Sequence, residues 1–258
     1  MERGAPSVTA RRVAAHRLGF ERVVAPGRPQ DDKALATDVA HGVVVGDGPM
    51  REYLRARTAF FDRAVVRALD GGCDQVVIVG AGYDGRAWRF AREGVRFFEV
   101  DHPATQVDKR ARAARLGIAD DAVTFVPVDL TAERLAERLA AAGLAASRPS
   151  CAVVEGLCAY LEPEVVARLF VELRRAVAPG SPLAVSVGIA RTGDPEREAR
   201  VAWFRARVAE LGEPVRSELD ADEARPLLER AGWGPEHEGP PGAGRDAALG
   251  LVLAVATT

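Results

Sequence analysis

The sequence predicts an α/β protein in which helices cover both faces of a mostly parallel β-sheet. Short apolar runs recur along the chain without the polar alternation of a half-exposed strand, which is typical of strands buried on both faces. Helical patterns separate these runs, as they do in successive β-α-β units. We expect strands at residues 76–79, 95–100, 123–128, 151–154, 183–189 and 249–256.

The segments between these strands carry apolar residues at helical spacing, and proline or glycine marks several of their ends. Pro163 suits the first position of a helix, and Gly143 suits a C-terminal stop. We expect a loop at residues 26–35. The expected helices cover residues 8–25, 50–69, 104–116, 131–142, a stretch from 163, an Arg/Glu-rich stretch within 190–218 bearing Val201, Phe204, Val208 and Leu211, and residues 222–233.

With 258 residues, 48% of them apolar, the chain can form one large domain or two small ones. We expect a single domain with four parts. Residues 1–70 form a helical cap and residues 71–189 a ligand-binding core. Residues 190–246 form a lid or substrate wall, because the composition changes there and loops at such places often carry specificity. Residues 247–258 close the sheet.

Composition excludes several classes of protein. The net charge of −2 provides no broad basic field to attract nucleic acid. No apolar run approaches the length of a membrane span, and residues 1–12 lack the apolar stretch of a signal peptide, so we expect a cytoplasmic protein. Cys73, Cys151 and Cys158 form no C-x-x-C pair and are expected to be free thiols. The four histidines show no metal-ligand spacing, so no metal is expected.

A glycine-rich loop follows the first predicted strand. Gly80, Gly82 and Gly85 satisfy the pattern G-x-G-x-x-G, which alone is weak and favours a pyrophosphate cofactor such as NAD. Asp84 lies inside this loop, and its carboxylate would repel a pyrophosphate but attract an ammonium group. S-adenosylmethionine has an amino group, a carboxylate and a sulfonium, and it has no phosphate. Asp84 therefore favours S-adenosylmethionine, with helix capping as the alternative role.

Carboxylates follow three predicted strands in succession: Asp101, Asp129 and Glu155. The carboxyl ends of parallel strands form one edge of the sheet, and ligands bind at that edge in open α/β folds. An acid after the second strand, the position of Asp101, commonly accepts hydrogen bonds from ribose hydroxyls. One such acid could be a helix cap, but three beside a glycine loop favour a binding site.

Arg57 falls on the apolar stripe of the helix predicted over residues 50–69. A guanidinium on a buried stripe requires an anion, because an unpaired buried charge costs several kcal/mol. That anion could be a structural carboxylate of the protein or the carboxylate of a bound amino acid. Alternatively, the side chain could extend along the surface and reach water.

Five motifs occur in order between about residues 50 and 190. They are Arg57-Thr58 with Phe61-Asp62, GAGYDGR at 80–86, EVDHP at 99–103, VPVDL at 126–130 and EGLCAYL at 155–161. Together they resemble the leucine carboxyl methyltransferase-like branch of the S-adenosylmethionine-dependent methyltransferases. Many relatives have Thr in place of Gly85 and a bulky apolar residue in place of Cys158. We expect the first departure to be harmless and the second to reshape the substrate pocket.

The resemblance implies a Rossmann-like, doubly wound sheet of seven strands whose last strand is antiparallel, and S-adenosylmethionine as the cofactor. It implies that Arg57 holds the methionine carboxylate, that Asp101 holds the ribose, and that Glu155 lies near the methionine moiety. The loop from Gly80 would hold the methionine backbone. The expected cofactor-binding residues are Arg57, Gly80, Ala81, Gly82, Asp84, Asp101, His102, Asp129, Leu130 and Glu155, of which Asp129 and Leu130 would hold the adenine.

The resulting hypothesis is a methyltransferase that acts on an oxygen of a small molecule, as in natural-product pathways. No catalytic residue is evident from the sequence. A carboxylate acceptor needs no base, whereas a phenol would need one, for which Tyr160 and His102 are the nearest polar candidates. Tyr160 and Cys158 are expected beside the substrate. Two alternatives stay open: an NAD(P)-dependent oxidoreductase and a regulatory protein that binds S-adenosylmethionine without transferring the methyl group.

Overall fold

The computed structural model describes residues 6–21, 23, 26–188, 198–199, 202, 206, 209–210, 212–235 and 249–257. Part of the predicted lid region lies outside these residues. The four apolar residues of its expected Arg/Glu-rich helix, Val201, Phe204, Val208 and Leu211, lie there, as does the predicted end of the fifth strand at Ile189.

Seven strands of the described chain form one sheet: β1 (Gln75–Val79), β2 (Arg96–Asp101), β3 (Val123–Pro127), β4 (Ser150–Val154), β5 (Pro182–Ser186), β6 (Trp233–Pro235) and β7 (Leu251–Ala256). Their order across the sheet is β3-β2-β1-β4-β5-β7-β6. Strands β1 to β5 pair in parallel, and β7 is antiparallel to both of its neighbours. The predicted sheet of seven strands, with its last strand antiparallel, is confirmed.

The helices of the described chain are α1 (Val8–Arg17), α2 (Pro29–Ala40), α3 (Pro49–Asp70), α4 (Arg86–Arg89), α5 (Pro103–Arg115), α6 (Leu135–Ala141), α7 (Pro163–Ala176) and α8 (Ala221–Arg230). They cover both faces of the sheet. Val77 and Val79 of β1 pack into the hydrophobic cluster under α6 to α8, whereas Val76 and Ile78 pack into the cluster under α1 to α5. Among these described helices, none is both long and apolar enough to cross a bilayer.

Helix α2 begins at Pro29, inside the segment that was predicted to be a loop, and α1 ends at Arg17 rather than near residue 25. The prediction of a loop was wrong because proline, which breaks a helix at interior positions, is favoured at the first position. At the first helical position proline loses no hydrogen bond, since that N–H has no partner within the helix. Leu35 and Val39, one helical turn apart, are fully buried and hold α2 on the protein.

Strand β6 begins at Trp233, which the sequence had assigned to the last helix. Gly232 has a φ of +88°, a conformation that favours glycine and ends α8. The Trp233 side chain is buried, and its indole N–H donates to the carbonyl oxygen of Phe170 at 2.9 Å. Pairing with β7 stabilises this three-residue strand, so no apolar run of its own was available to predict it.

Candidate cofactor site

The glycine loop (residues 80–85) lies at the carboxyl edge of the sheet, between the strands that carry the predicted acids. Asp129 follows β3, Asp101 ends β2, the loop follows β1 and Glu155 follows β4. Since these strands are neighbours in the order β3-β2-β1-β4, the three acids and the loop form one row. The structure thus brings together the residues that the sequence placed at this edge.

The loop is fixed to the end of β2 by its backbone. The N–H groups of Gly80 and Ala81 both donate to the carbonyl oxygen of Val100, at 2.9 and 3.1 Å. Gly80 has a φ of +70° and Gly82 a φ of +49°. These left-handed conformations favour glycine, so the loop requires glycine at both positions.

Asp101 connects the loop to the start of α5. Its carboxylate accepts hydrogen bonds from the backbone N–H of Gly82 at 2.6 Å and of His102 at 2.7 Å. Burial raises the pKa of Asp101, and these two N–H groups oppose the rise. Each carboxylate oxygen has a second lone pair that can accept a ribose hydroxyl. The side chain of His102 caps α5, because its Nδ1 accepts from Ala104 N–H at 3.3 Å.

Asp129 and Leu130 form a turn after β3. The Asp129 carboxylate accepts from the backbone N–H of Thr131 at 2.9 Å and from its hydroxyl at 2.6 Å. The N–H of Asp129 donates to the Glu133 carboxylate at 2.8 Å. The sequence predicted a helix from residue 131, but this turn comes first and α6 begins at Leu135. Leu130 packs, partly buried, against the core under α6 and α7.

Three guanidinium groups converge on Glu155, which is almost fully buried. Arg57 Nε lies 3.0 Å from Oε1, Arg17 Nη2 lies 2.7 Å from the same oxygen, and Arg86 Nη1 lies 2.5 Å from Oε2. Burial alone would raise the pKa of Glu155, but the three guanidiniums hold it well below the usual value. Arg57 therefore is buried and paired, as the sequence required, and its partner in this structure is a carboxylate of the protein.

Asp84 points into the same cluster. Its carboxylate accepts from the backbone N–H of Arg86 at 2.8 Å and contacts Arg86 Nη1 at 2.5 Å, with Arg17 Nη1 at 3.7 Å. Asp84 therefore accepts from the first N–H of α4, a contact of the kind that the capping alternative predicted, and its role in binding the cofactor stays a prediction. The helix that follows the loop is a single turn, Arg86–Arg89.

Further ion pairs extend this cluster away from the sheet edge. Arg86 Nε lies 2.7 Å from Asp62, Arg89 Nη1 lies 2.6 Å from Asp62, and Arg89 Nε lies 3.0 Å from Asp32. All of these side chains are buried. The ion-pair cluster is defined here as the four guanidiniums and four carboxylates of Arg17, Arg57, Arg86, Arg89, Asp32, Asp62, Asp84 and Glu155.

Comparisons with known proteins identify the family of this chain. The family model described as "Leucine carboxyl methyltransferase" matches residues 14–174, more than half of the chain. The chain belongs to this family. The match includes α3, the glycine loop and the ends of β2, β3 and β4, so it covers every residue predicted to bind the cofactor.

Relatives of this chain include bacterial proteins provisionally named S-adenosyl-L-methionine-dependent methyltransferases. One from Mycolicibacterium paratuberculosis is 34% identical over 71% of this chain and 62% of its own length. One from Mycobacterium sp. strain KMS is 38% identical over 63% of this chain and 54% of its own length. The matches thus span little more than half of the relatives' lengths.

Solved structures share the fold of this family member. A protein from Thermobifida fusca YX, described provisionally as a methyltransferase, has a TM-score of 0.62 at 20% identity and covers 100% of this chain and 97% of its own. The magnesium protoporphyrin IX methyltransferase of Synechocystis PCC 6803, solved with bound SAH (S-adenosylhomocysteine), has a TM-score of 0.54 at 13% identity and covers 83% and 90%. At these identities the likeness shows the fold alone.

Gly85 was expected to be a harmless departure from many relatives of the family, and its surroundings leave no room for a larger residue. A Cβ built on Gly85 would lie 2.0 Å from Asp32 Oδ1 and 2.7 Å from Asp32 Cβ. The carboxylate that fills this room pairs with Arg89. Gly85 is therefore required for α2 to place Asp32 in the ion-pair cluster, a long-range reason that the local pattern did not reveal.

The residues predicted beside the substrate lie on a single 3-10 turn, Cys158–Tyr160, that follows β4. Burial raises the pKa of Cys158 to about 12 and also raises the pKa of Tyr160. The carbonyl oxygen of Ala159 accepts from the backbone N–H groups of Arg216 and Ser217, at 2.7 and 3.2 Å. Residues 216 and 217 of the predicted lid region therefore pack directly on this turn.

Sequence reasoning missed Arg17 and Glu213 at this site. Glu213 accepts from the N–H groups of Val8 and Thr9, at 2.9 and 3.3 Å, and so caps the start of α1. That contact joins the predicted lid region to the helix that carries Arg17. No local pattern marks either residue, because both act across some 140 to 205 positions of sequence.

Proposed function

We propose that this chain transfers the methyl group of S-adenosylmethionine to a carboxylate oxygen of a small molecule. S-adenosylmethionine was the predicted cofactor, and family membership and the relatives' names confirm that prediction. The acceptor class and the roles of individual residues rest on the geometry of the sheet edge. The same membership leaves an NAD(P)-dependent oxidoreductase without support.

The convergence of three guanidiniums on Glu155 is the observation that supports the methionine end of this proposal. A bound amino acid has a carboxylate and an ammonium group side by side. The ligand's carboxylate can replace the Glu155 carboxylate as the partner of Arg57, and the ligand's ammonium group can then bind the Glu155 oxygen that is released. The exchange leaves every charge paired, which a buried site requires.

The other end of the cofactor would lie along the row of acids. Asp101 is held by two backbone N–H groups and keeps lone pairs for the ribose hydroxyls. Asp129 and Leu130 flank it after β3, at the position that the family resemblance assigns to the adenine. This direction places the sulfonium between Asp101 and Glu155, above the glycine loop at the end of β1.

A carboxylate acceptor is favoured because the two candidate bases are poorly suited to that role. Burial raises the pKa of Tyr160, so its phenol keeps its proton at neutral pH. His102 uses Nδ1 to cap α5. A carboxylate is already ionised, and the leaving thioether is neutral, so positioning the two reactants about 3–3.5 Å apart and removing water would suffice.

A small acceptor is favoured by the contacts of the predicted lid region beside this edge. Glu213 caps α1, which carries Arg17, and residues 216 and 217 pack on the turn that carries Tyr160. A lid that packs this close to the proposed cofactor suits a small molecule better than the end of a folded protein. A role in natural-product synthesis and a cytoplasmic location stay predictions from the sequence.

A labelling experiment tests the proposal. Purified protein is incubated with S-adenosylmethionine that carries tritium in its methyl group, together with small carboxylic acids, phenols, amines or a peptide with a C-terminal leucine. Methyl esters release volatile methanol in mild alkali, whereas methyl ethers and methylamines do not. We expect alkali-labile label on small carboxylic acids and its loss in Asp101→Asn.

Other outcomes would each contradict a distinct part of the proposal. Alkali-stable label on a phenol or an amine would exclude the carboxylate acceptor. Labelling of the peptide alone would exclude the small molecule. SAH binding without transfer in any arm would favour the regulatory, non-catalytic alternative.

A further inference from the structure

Lys109, one of the two lysines of the chain, is fully buried beneath the glycine loop. Its ammonium nitrogen lies 2.5 Å from Glu99 Oε2, 2.6 Å from the backbone carbonyl oxygen of Asp84 and 5.1 Å from the centre of the Trp88 ring. A carboxylate, a carbonyl and an aromatic face together satisfy a buried ammonium. Only the carbonyl belongs to the loop.

The contact with Asp84 fixes the far end of the loop. The N–H of Asp84 donates to the carbonyl oxygen of Ala81 at 2.7 Å, which closes a tight turn. Lys109 binds the carbonyl oxygen of Asp84, at the end of this turn. The neighbouring residue on α5, Asp108, accepts a hydrogen bond from the phenol of Tyr83. Two adjacent residues of α5 therefore bind two adjacent residues of the loop.

Helix α5 is itself firmly attached to the sheet. The side-chain amide of Gln106 donates to the carbonyl oxygens of Glu99 at 2.6 Å and Val126 at 3.3 Å, which joins α5 to both β2 and β3. The helix also begins just after Asp101, which binds the loop at Gly82. The loop is thus held near its middle by the end of β2 and at its end by α5.

We propose that Lys109 is a positioning residue for the cofactor, holding the glycine loop from beneath through the Asp84 carbonyl in the conformation that receives the methionine moiety. Glu99 serves as its counter-ion and has no contact with the loop of its own among the described hydrogen bonds. This inference rests on the cofactor site proposed above.

The electrostatics of Glu99 separate the two partners' roles. Burial raises the pKa of Glu99 to about 7, and the Lys109 ammonium opposes the rise. A carboxyl that is partly protonated near neutral pH can be replaced by an amide without loss of its acceptor oxygen. The hydrogen bond to the Asp84 carbonyl is made by the Lys109 ammonium itself, so a substitution at Lys109 removes it directly and a substitution at Glu99 does not.

Three variants test the proposal by calorimetric titration with SAH. Glu99→Gln keeps the ammonium and its bond to Asp84 but removes the counter-ion, so it should also lower the unfolding temperature. Lys109→Met removes that bond and also leaves the Glu99 carboxylate buried without its counter-ion. The double variant Lys109→Met with Glu99→Gln removes the bond and leaves no unpaired charge, so it should recover stability relative to Lys109→Met.

We expect Glu99→Gln to bind SAH within about threefold of the wild type, and the double variant to bind about tenfold or more weakly despite its recovered unfolding temperature, because one hydrogen bond to a charged group is lost. A purely structural role for the ion pair predicts instead that affinity recovers together with stability. A double variant that binds within about twofold of Glu99→Gln would overturn the proposal.

The same titrations separate this inference from the cofactor site on which it depends. Failure of the wild type to bind SAH, or wild-type affinity in Asp101→Asn, would remove the site itself. Tight binding by the wild type, weak binding by Asp101→Asn and unchanged binding by both Lys109 variants would overturn the positioning role alone.

Discussion

Arg57→Met separates the proposed role of Arg57 in cofactor binding from a structural role. Its Nε lies 3.0 Å from Glu155, but Glu155 keeps Arg17 at 2.7 Å and Arg86 at 2.5 Å after the substitution. No carboxylate is left unpaired. The free energy of unfolding should therefore fall by no more than one charged hydrogen bond, about 1.5–3 kcal/mol.

The affinity for SAH should fall at temperatures where the variant is still fully folded. If Arg57 binds the methionine carboxylate, Met at this position removes at least one charged hydrogen bond to the ligand. A loss of about 1.5–3 kcal/mol corresponds to about 10- to 150-fold in the dissociation constant. Calorimetric titration at fixed salt, well below the unfolding temperature, measures this change.

Arg86→Met provides the contrasting case. Arg86 is fully buried and contacts three carboxylates, those of Asp62, Asp84 and Glu155. Its removal breaks buried pairs, which costs roughly 3–5 kcal/mol and lowers the unfolding temperature by about 6–20 °C for a chain of this size. Arg55→Met, on the exposed side of α3, is the control and should change neither stability nor affinity measurably.

Wild-type affinity in Arg57→Met would refute the cofactor role. If the unfolding temperature also fell as far as in Arg86→Met, Arg57 would be a structural residue of the same kind as Arg86.

Two further predictions concern stability. The nearby guanidiniums hold the pKa values of Glu155 and Asp62 below the usual range, although burial opposes this shift. These two carboxylates therefore stabilise the fold above the pKa of an unfolded carboxyl, about 4, and the stabilisation is lost as the pH falls further. Urea unfolding midpoints should decline from about pH 5 to pH 3, and constant midpoints would contradict this reasoning. Gly85→Thr should displace Asp32 and cost about 1–3 kcal/mol, whereas Gly46→Ala, with open space around its added Cβ, should change the free energy of unfolding by less than about 0.5 kcal/mol. Equal changes in the free energy of unfolding for these two variants would show that crowding between residue 85 and Asp32 does not destabilise the protein.

The centre of the fold could be predicted because buried parallel strands leave a local signal. Each of β1 to β5 coincides with an apolar run, and three of them are followed by an acid that the sheet brings to one edge. Strand β6 left no such signal, since its three residues are held by β7. Helix α2 was not predicted because proline breaks a helix at interior positions but is favoured at the first position, where Pro29 lies.

Prediction of the site reached Arg57 but not its partners. The spacing along α3 reveals that Arg57 is buried, and burial requires an anion, but Glu155 lies 98 residues further on and no local rule pairs the two. Arg17 was harder still. Helix α1 carries Arg11, Arg12 and Arg17, and only the fold determines that the last of these is buried against the site.

The ion-pair cluster explains how a buried site can receive a ligand that has charges of both signs. Bringing new charges out of water costs several kcal/mol for each ion. In this chain the guanidiniums and carboxylates are already buried when the protein folds, and each has a partner. On the proposed binding mode the methionine moiety only exchanges partners with Arg57 and Glu155, so the protein's own charges lose no further hydration on binding. Affinity then depends on the fit of the exchanged pairs, and the loop that Asp101 and Lys109 hold in place determines that fit.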